Sequence, residues 1–317
     1  MTLPSGGPKD VSPPVVIDIL YQKENMSIIF NENIIVKNQA EFYISPPTET
    51  MPEITTKKNI LKISSKDELA NNSILYFSEM IADYNEGNIL TSLVVNSSET
   101  IDTNLLTIMG DIKDNITLEP LKNVWAVLYN IGHKNDSVLW NKKPDYISKT
   151  DENGFFNFPN LQDTNYVLFA LNDKDQNLQY SLKEEKVGFH EGIVRPNQDS
   201  ITILLFNEFD KLDSITPLLN DSLKEFGSIY VDSLPVNSVF ELILNNKTIL
   251  RKFNTDSIFV DSLPPNKYKA RVFVDINKNK SWDTGVLYNR VLPEPIEYYP
   301  NEIKIRSNWG VKINWPK

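Results

Sequence analysis

The 317-residue chain contains no cysteine, only two histidines and only 11 glycines. The absence of cysteine excludes disulfides, thiolate metal sites and a cysteine nucleophile. No run of about 20 apolar residues is present, so the sequence predicts no membrane-spanning helix. Blocks of lysine or arginine are also missing, and the net charge is −10. We therefore expect no nucleic-acid partner, whereas divalent cations suit a chain of this charge.

The apolar residues that are present lie mostly in short runs, in which they alternate with polar residues. These runs are rich in Ile, Val, Phe and Tyr and are bounded by Asn, Asp, Pro or Ser, a pattern typical of β-sandwiches. The fold class is therefore predicted to be all-β, and only residues 217–226 suggest a short helix. The predicted strands are residues 15–20, 27–30, 60–64, 73–77, 124–129, 166–171, 200–206, 239–244, 257–260 and 268–274.

A repeated segment divides the chain. Residues 160–181 and 262–283 align without a gap at a constant offset of 102 residues. Each copy is a strand that runs into a loop of alternating Asp and Asn. The matching pairs are Leu161 and Leu263, Tyr166 and Tyr268, Asp173 and Asp275, Asp175 and Asn277, and Asn177 and Asn279.

The second loop has the spacing of a calcium-binding loop. Asp275, Asn277 and Asn279 fall at positions 1, 3 and 5 of such a loop, and Asp283 falls at position 9. At position 7, Ser281 would offer its backbone carbonyl. Ca²⁺ takes six to eight oxygen ligands, and this spacing directs side-chain oxygens toward one point.

Two departures weaken this assignment. Lys280 stands at position 6, where glycine is expected, and Val286 stands at position 12 in place of a bidentate Glu. The flanking segments are strands, so the loop is not an EF-hand, and a remote carboxylate or water would have to complete the shell. The alternative is a polar loop held by Asx turns, in which Asp and Asn bond to their own backbone.

The first loop is a weaker version of the same pattern. Ser181 replaces the Asp of position 9, while a glutamate at position 12 restores a carboxylate. The candidate ligands are Asp173, Asp175, Asn177, Gln179 and Glu184.

No catalytic set is evident. His133 and His190 lie in loop-like segments without a neighbouring nucleophile, and Glu184–Glu185 is predicted to be an exposed charged pair. We therefore expect a protein without enzymatic activity. An alternative is sugar binding by exposed aromatic side chains, for which the candidates are Trp140, Trp282, Tyr298 and Tyr299.

Several motifs, in the same order, resemble those of Bacteroidota outer-membrane lipoproteins that begin with an Ig-like domain. The resemblance covers nearly the whole chain. The motifs occupy residues 5–10, 13–14, 29–32, 45–47, 83–88, 149–154, 169–175, 282–285, 293–294 and 308–309.

The resemblance implies a first module like the bacterial Ig-like domain named after a surface-layer protein. The later modules resemble prealbumin-like or carboxypeptidase-regulatory-like sandwiches. The expected architecture is three tandem β-sandwich modules with an extended C-terminal strap. We divide the chain into a tether (residues 1–11), an Ig-like sandwich (12–97), a prealbumin-like sandwich (98–182), a linker with one strand (183–225), and a last sandwich with its strap (226–317).

The resemblance also implies a location. In the family, the opening motif follows a lipid-carrying cysteine, and Met1 stands near that position here. We expect a lipid-anchored protein of the outer membrane, on the cell surface rather than the periplasmic side. The expected role is that of an interaction subunit docked on an outer-membrane β-barrel complex for barrel assembly, export or nutrient uptake. The alternative function is a surface glycan-binding or adhesive module.

Overall fold

The computed structural model describes residues 9–22, 25–39, 42–46, 48, 50–65, 73–98, 106–130, 138–217, 225–253 and 256–316. Within these ranges the regular secondary structure is almost entirely β-strand, and the one α-helix is the four-residue α1 (Val138–Asn141). The all-β prediction is confirmed. The helix predicted for residues 217–226 lies largely outside the described residues. No described helix has the length and hydropathy needed to cross a membrane.

The chain forms two compact units. The first contains residues 1–112, 121–181 and 192–203, and the second contains residues 113–120, 182–191 and 204–317.

The first unit opens with a two-sheet sandwich. One sheet has the order β1-β2-β6-β5, and the other has the order β3-β7-β4 with β8 also paired to β7. Alternation places Met26, Ile28 and Phe30 of one sheet in a common core with Leu75 and Phe77 of the other. The strands are β1 (Val16–Gln22), β2 (Asn25–Phe30), β3 (Ile34–Val36), β4 (Phe42–Ser45), β5 (Glu53–Lys57), β6 (Ile60–Ser64), β7 (Ile74–Asp83) and β8 (Ile89–Asn96).

The next strands build a second sandwich. Strand β10 pairs with both β11 and β13, while β9 lies between β12 and β15. The turn between β11 and β12 joins strands of different sheets, so it is not a hairpin: Gly154 has a positive φ of 73° and its N–H donates to the Asp151 carbonyl. The strands are β9 (Leu106–Asp114), β10 (Trp125–Asn130), β11 (Tyr146–Lys149), β12 (Phe155–Leu161), β13 (Tyr166–Asn172), β14 (Lys186–Phe189) and β15 (Ile201–Leu205).

These two sandwiches of the first unit are packed together. The buried Trp125 ring contacts Tyr43 at 4.7 Å and Tyr76 at 5.6 Å, both edge to face. The Tyr76 hydroxyl donates to the Ile147 carbonyl (3.2 Å), and the Ile147 N–H donates to Ser45 Oγ (3.0 Å). Buried aromatic contacts combined with hydrogen bonds in both directions fix the orientation of one sandwich on the other.

The second unit contains the third sandwich. One sheet has the order β19-β16-β23, and the other has the order β18-β17-β20-β21, with β22 also paired to β20. Asn245 and Asn246 both have positive φ and form the two-residue turn between β17 and β18. The strands are β16 (Gly227–Asp232), β17 (Ser238–Leu244), β18 (Lys247–Phe253), β19 (Ile258–Leu263), β20 (Asn266–Val274), β21 (Ile296–Tyr298), β22 (Ile303–Ile305) and β23 (Gly310–Asn314).

The C-terminal segment is more regular than a strap. It supplies three strands, of which β23 runs parallel to β16. Trp315 is buried in the core of the third sandwich. Trp309 is 63% exposed and is not part of that core.

The sequence repeat corresponds to a structural repeat. The Tyr166 hydroxyl donates to the Gln162 carbonyl (3.0 Å), and the Tyr268 hydroxyl donates to the Pro264 carbonyl (2.7 Å). Both tyrosines are fully buried. A buried tyrosine that bonds back to its own upstream backbone is the tyrosine corner of Ig-like sandwiches.

The strand preceding each corner carries the same irregularity. Between Phe158 and Leu161 the register of β12 slips by one residue against β9, and the same slip occurs between Val260 and Leu263 against β16. The equivalent residues with positive φ in these segments are Asn160 (61°) and Ser262 (56°). The repeat therefore preserves backbone conformation as well as residue type.

We predict that Tyr268→Phe lowers the free energy of unfolding by about 1 kcal/mol, because a buried hydrogen bond of the corner is lost. Urea denaturation measures the change. Tyr288→Phe is the matched control, since Tyr288 is 82% exposed. Equal stabilities for the two variants would contradict a structural role for the corner.

Candidate functional site: the two Asp/Asn loops

The second loop is organised by Asp275, which directly follows β20 and is buried. Its carboxylate accepts the N–H groups of Asn279 (3.0 Å) and Lys280 (2.8 Å). Two residues of the loop, Lys278 and Lys280, have positive φ of 62° and 68°. Such angles are unfavourable for lysine. The buried carboxylate therefore stabilises a turn that glycine would form without strain.

Three further predicted residues do come together. The side-chain amides of Asn277 and Asn279 both donate to Asp283 Oδ2, each at 2.6 Å. The Oδ1 atoms of these asparagines accept the N–H groups of Asn279 (3.0 Å) and Ser281 (2.7 Å). Each asparagine thus uses its oxygen for the backbone and its nitrogen for the carboxylate. Ser281 takes part through its N–H group.

A carboxylate from outside the motif closes the loop. Glu294, also buried, accepts the N–H groups of Ile276 (2.7 Å) and Asp283 (3.1 Å). Its backbone carbonyl accepts the indole N–H of Trp282 (2.8 Å), whose ring is buried. Burial raises the pKa of Glu294, and the negative charges of nearby Asp275 and Asp283 raise it further. The two N–H donors lower the pKa, but the net shift is upward.

The first loop repeats this geometry. The Asp173 carboxylate accepts the N–H groups of Asn177 (3.2 Å) and Leu178 (2.8 Å). Its positive-φ residues are Gln176 (61°) and Leu178 (58°), the equivalents of the two lysines in the second loop. The N–H of Gln179 donates to Asn177 Oδ1 (2.6 Å), as that of Ser281 does in the other copy.

The two loops differ in where the second carboxylate lies. In the first loop, the Asn177 amide donates to Asp175 Oδ2 (2.9 Å) and to Ser181 Oγ (3.0 Å), and the Ser181 hydroxyl also donates to Asp175 (2.9 Å). In the second loop, the equivalent positions hold Asn277 and Asp283. Each loop therefore has one carboxylate and one neutral polar group at these two positions. The carboxylate stands at the earlier position in the first loop and at the later position in the second.

Two glutamates that follow the first loop differ in exposure. Glu184, a candidate ligand, is exposed and belongs to the second unit. Glu185 was expected to be exposed beside it, and this prediction is wrong. Glu185 is fully buried, and its carboxylate accepts the Leu182 N–H (3.0 Å). The carboxylate satisfies a backbone donor of the turn before β14, which explains a buried acid that the sequence pattern did not indicate.

A Ca²⁺ ion would change the hydrogen bonding of the second loop. A Ca²⁺ ion bound between Asp283 and the two asparagines would need the Oδ1 atoms of Asn277 and Asn279 as ligands. These oxygens would then give up their bonds to the N–H groups of Asn279 and Ser281. Each such bond contributes about 1 kcal/mol. The residues fit a weak calcium site, and the loop reaches its folded shape through its own hydrogen bonds.

Sequence reasoning named the Asp and Asn side chains that organise the second loop, but it did not assign Glu294 to the site. That glutamate lies 11 residues beyond Asp283, outside the calcium-type spacing. The signal that indicates it is the Pro293–Glu294 motif, which belongs to the family resemblance.

No protein-family model matches the chain, and no curated protein is similar to it at a significant level. Among solved structures, a streptococcal ancillary pilin aligns over 84% of this chain and 80% of its own, with 12% identity and a TM-score of 0.21. The Bacillus anthracis TIE protein aligns over 98% of this chain and 59% of its own, with 13% identity and a TM-score of 0.21. A three-Ig structure of titin aligns over 96% and 99%, with 8% identity and a TM-score of 0.15.

These values are too low to carry an argument about function. The paired sheets and the two tyrosine corners define the class of the protein, which is an all-β chain of Ig-like sandwiches.

We predict that Ca²⁺ raises the melting temperature only at millimolar concentrations, since binding to the folded state alone stabilises it and two hydrogen bonds are lost. Differential scanning fluorimetry with Ca²⁺ and with Mg²⁺ measures the shift. Asp283→Asn is expected to remove the part that depends on the second loop. An unchanged melting temperature at millimolar Ca²⁺ would remove the calcium assignment for both loops.

The different position of the carboxylate in the two loops predicts how substitutions at positions 277 and 283 change the free energy of unfolding. The measurements are made in the presence of a chelator. Asn277→Asp alone places two carboxylates together and removes an amide donor, so it lowers the free energy of unfolding by about 1 kcal/mol. Asp283→Ser alone removes the acceptor of both amides and is also destabilising. The double variant recreates the first loop and is expected to recover part of the loss.

Urea denaturation of the four proteins gives the coupling free energy of this cycle, expected to be about 0.5–3 kcal/mol. Additive losses would show that the two positions act independently.

Proposed function

We propose that this chain is a non-enzymatic structural and interaction subunit of a bacterial cell envelope. The observation that carries the proposal is the packed interface between the first two sandwiches, where Trp125 lies between Tyr43 and Tyr76. Lys149 adds a bond to Ser78 Oγ (2.7 Å) across the same interface and lies 5.0 Å from the Trp125 ring centre. Such an interface holds the exposed surfaces of two modules in a fixed geometry, as a docking subunit requires.

The chemistry of the loops supports the same proposal. The carboxylates of Asp173, Asp275 and Glu294 accept backbone N–H groups. Groups committed to the fold in this way are poorly suited to proton transfer, for which a base must reach a substrate. Of the two histidines, His190 is half-buried, and His133 lies outside the described residues.

The location and the partner rest on the sequence resemblance alone. We propose an outer-membrane lipoprotein on the cell surface, anchored by an N-terminal lipid if Met1 stands in for the lipidated cysteine of the family. One lipidated anchor together with protein contacts would hold the protein at the membrane. The proposed partner is an outer-membrane β-barrel protein or complex for barrel assembly, export or nutrient uptake. The opening motif, residues 5–10, lies mostly outside the described residues.

We predict that the tagged protein, purified from native membranes in mild detergent, brings an outer-membrane β-barrel protein with it. Mass spectrometry identifies the partner, and an unrelated tagged lipoprotein is the control. Chemical cross-linking before lysis locates the contact on the chain. Recovery of the chain alone, or the same barrel with the control, would overturn the docking proposal.

For the alternative function, glycan binding, two of the aromatic candidates are not exposed. The Trp282 ring is buried, and Trp140 is half-buried with its ring 6.3 Å from that of Tyr180. Tyr298 and Tyr299 differ from these two tryptophans, because both tyrosines line a groove of the second unit. That groove is the observation that favours a second function.

A further inference from the structure

The groove lies within the second unit and has a volume of about 670 Å³. This volume is in the range of small-molecule sites, which are concave and combine aromatic surface with a few placed polar groups. Strands β20 and β21 and the turn between β17 and β18 contribute to its lining, together with residues 299–302.

The groove includes a buried cationic side chain, Arg271. Its Nε donates to Glu241 Oε2 (2.6 Å), Nη1 donates to the Tyr298 hydroxyl (3.2 Å), and Nη2 donates to Thr248 Oγ1 (3.3 Å). Arg271 is 5% exposed and Glu241 is fully buried. These bonds use three of the five N–H groups of the guanidinium, and Arg271 is among the residues that line the groove. They also hold the guanidinium plane in one orientation.

Two tyrosines give the groove an aromatic surface. The Tyr299 ring packs on Trp315 at 5.6 Å, and its N–H donates to the Ala270 carbonyl (2.9 Å), so its position is fixed. The Tyr298 hydroxyl accepts from Arg271, and its own proton is then directed away from the guanidinium. An aromatic side chain with an apolar ring and a polar end suits a ligand that has both kinds of surface.

The charges around the groove are of both signs and nearly balance. Glu119, Asp213 and Glu302 are exposed at its lining together with Lys269. Glu302 pairs with Lys267 (3.2 Å), and the buried Glu241 is shared between Arg271 and Arg251. Carboxylates repel an anion but accept hydrogen bonds from hydroxyl groups. The exposed amide of Asn301 adds both a donor and an acceptor. The lining therefore offers acceptors and donors to a neutral molecule that carries many hydroxyl groups.

We propose that this groove binds a neutral oligosaccharide, with sugar rings against Tyr298 and Tyr299 and sugar hydroxyls bonded to Arg271, Tyr298 and the surrounding carboxylates. The proposal deepens the glycan-binding alternative and is independent of docking on a β-barrel. Failure of the co-purification leaves it intact, and failure of sugar binding leaves the docking proposal intact.

Saturation-transfer NMR of the full chain tests the proposal with neutral oligosaccharides of glucose, galactose, mannose and N-acetylglucosamine, each at about 1 mM. Oligogalacturonate is the acidic comparison. At least one neutral oligosaccharide is expected to bind, and oligogalacturonate is expected to bind more weakly. Absence of transfer to every neutral oligosaccharide, or stronger binding of oligogalacturonate, would overturn the proposal.

Two variants place the binding in the groove. Tyr298→Phe keeps the ring and removes the hydroxyl, and Asn301→Ala removes an exposed amide that folding does not require. Each is expected to weaken the affinity measured by calorimetry about three- to tenfold, the effect of one hydrogen bond.

Tyr288→Phe, in an exposed tyrosine outside the groove, is the matched control and should leave the affinity unchanged. Melting temperatures show that the variants are folded. Binding that neither groove variant weakens would place the sugar elsewhere and overturn the proposed site.

Discussion

Carboxylates that accept backbone N–H groups at the ends of strands are the interaction on which this structure depends. Asp83 accepts the N–H groups of Glu86, Gly87 and Asn88, and both repeat loops begin with the same arrangement. Although burial alone would raise the pKa of Asp83, its backbone donors hold the pKa below the usual value. A chain with only 11 glycines must turn between many strands, and in the two repeat loops these carboxylates stabilise turns that lack glycine, whereas the Asp83 turn contains Gly87 with a φ of 79°.

The two repeat loops could be predicted from the sequence, but Glu294, the residue that closes the second loop, could not. Among the described residues, 17 other than glycine have positive φ, and seven of these are asparagines. In the two repeat loops the positive-φ residues are not asparagines, and it was the alternation of Asp and Asn that indicated the position of the loops and their Asx-type bonding. Glu294 was missed because its contact with the second loop is tertiary and has no fixed spacing. Glu185 was misjudged because its neighbour Glu184 is exposed. Its hydrogen-bond donor, Leu182, acts through the backbone N–H, which the residue type does not reveal.

The strands were predicted well because alternation is a local property, but their buried charges were not. Glu241 stands in the middle of an apolar strand, opposite Arg251 on one side and Arg271 on the other. Both arginines bond to it at 2.6 Å. Only the register of three strands brings these residues together, so no single segment contains the signal. Burial of a charge is costly unless it is paired and fully hydrogen-bonded, and the second arginine completes the pairing.

The polar groups of the second unit thus fall into two kinds. In the second Asp/Asn loop, the asparagine amides and the Asp275 and Glu294 carboxylates are engaged with the loop itself, and a ligand there must break bonds in order to bind. At the groove, the Tyr298 hydroxyl accepts from Arg271 and keeps its own proton for a further bond, so a ligand there would add a bond. Binding gains most where donors are preorganised and unpaired. The loop that first suggests a site in the sequence is therefore the weaker candidate, and it acts mainly to hold the sandwich that carries the groove.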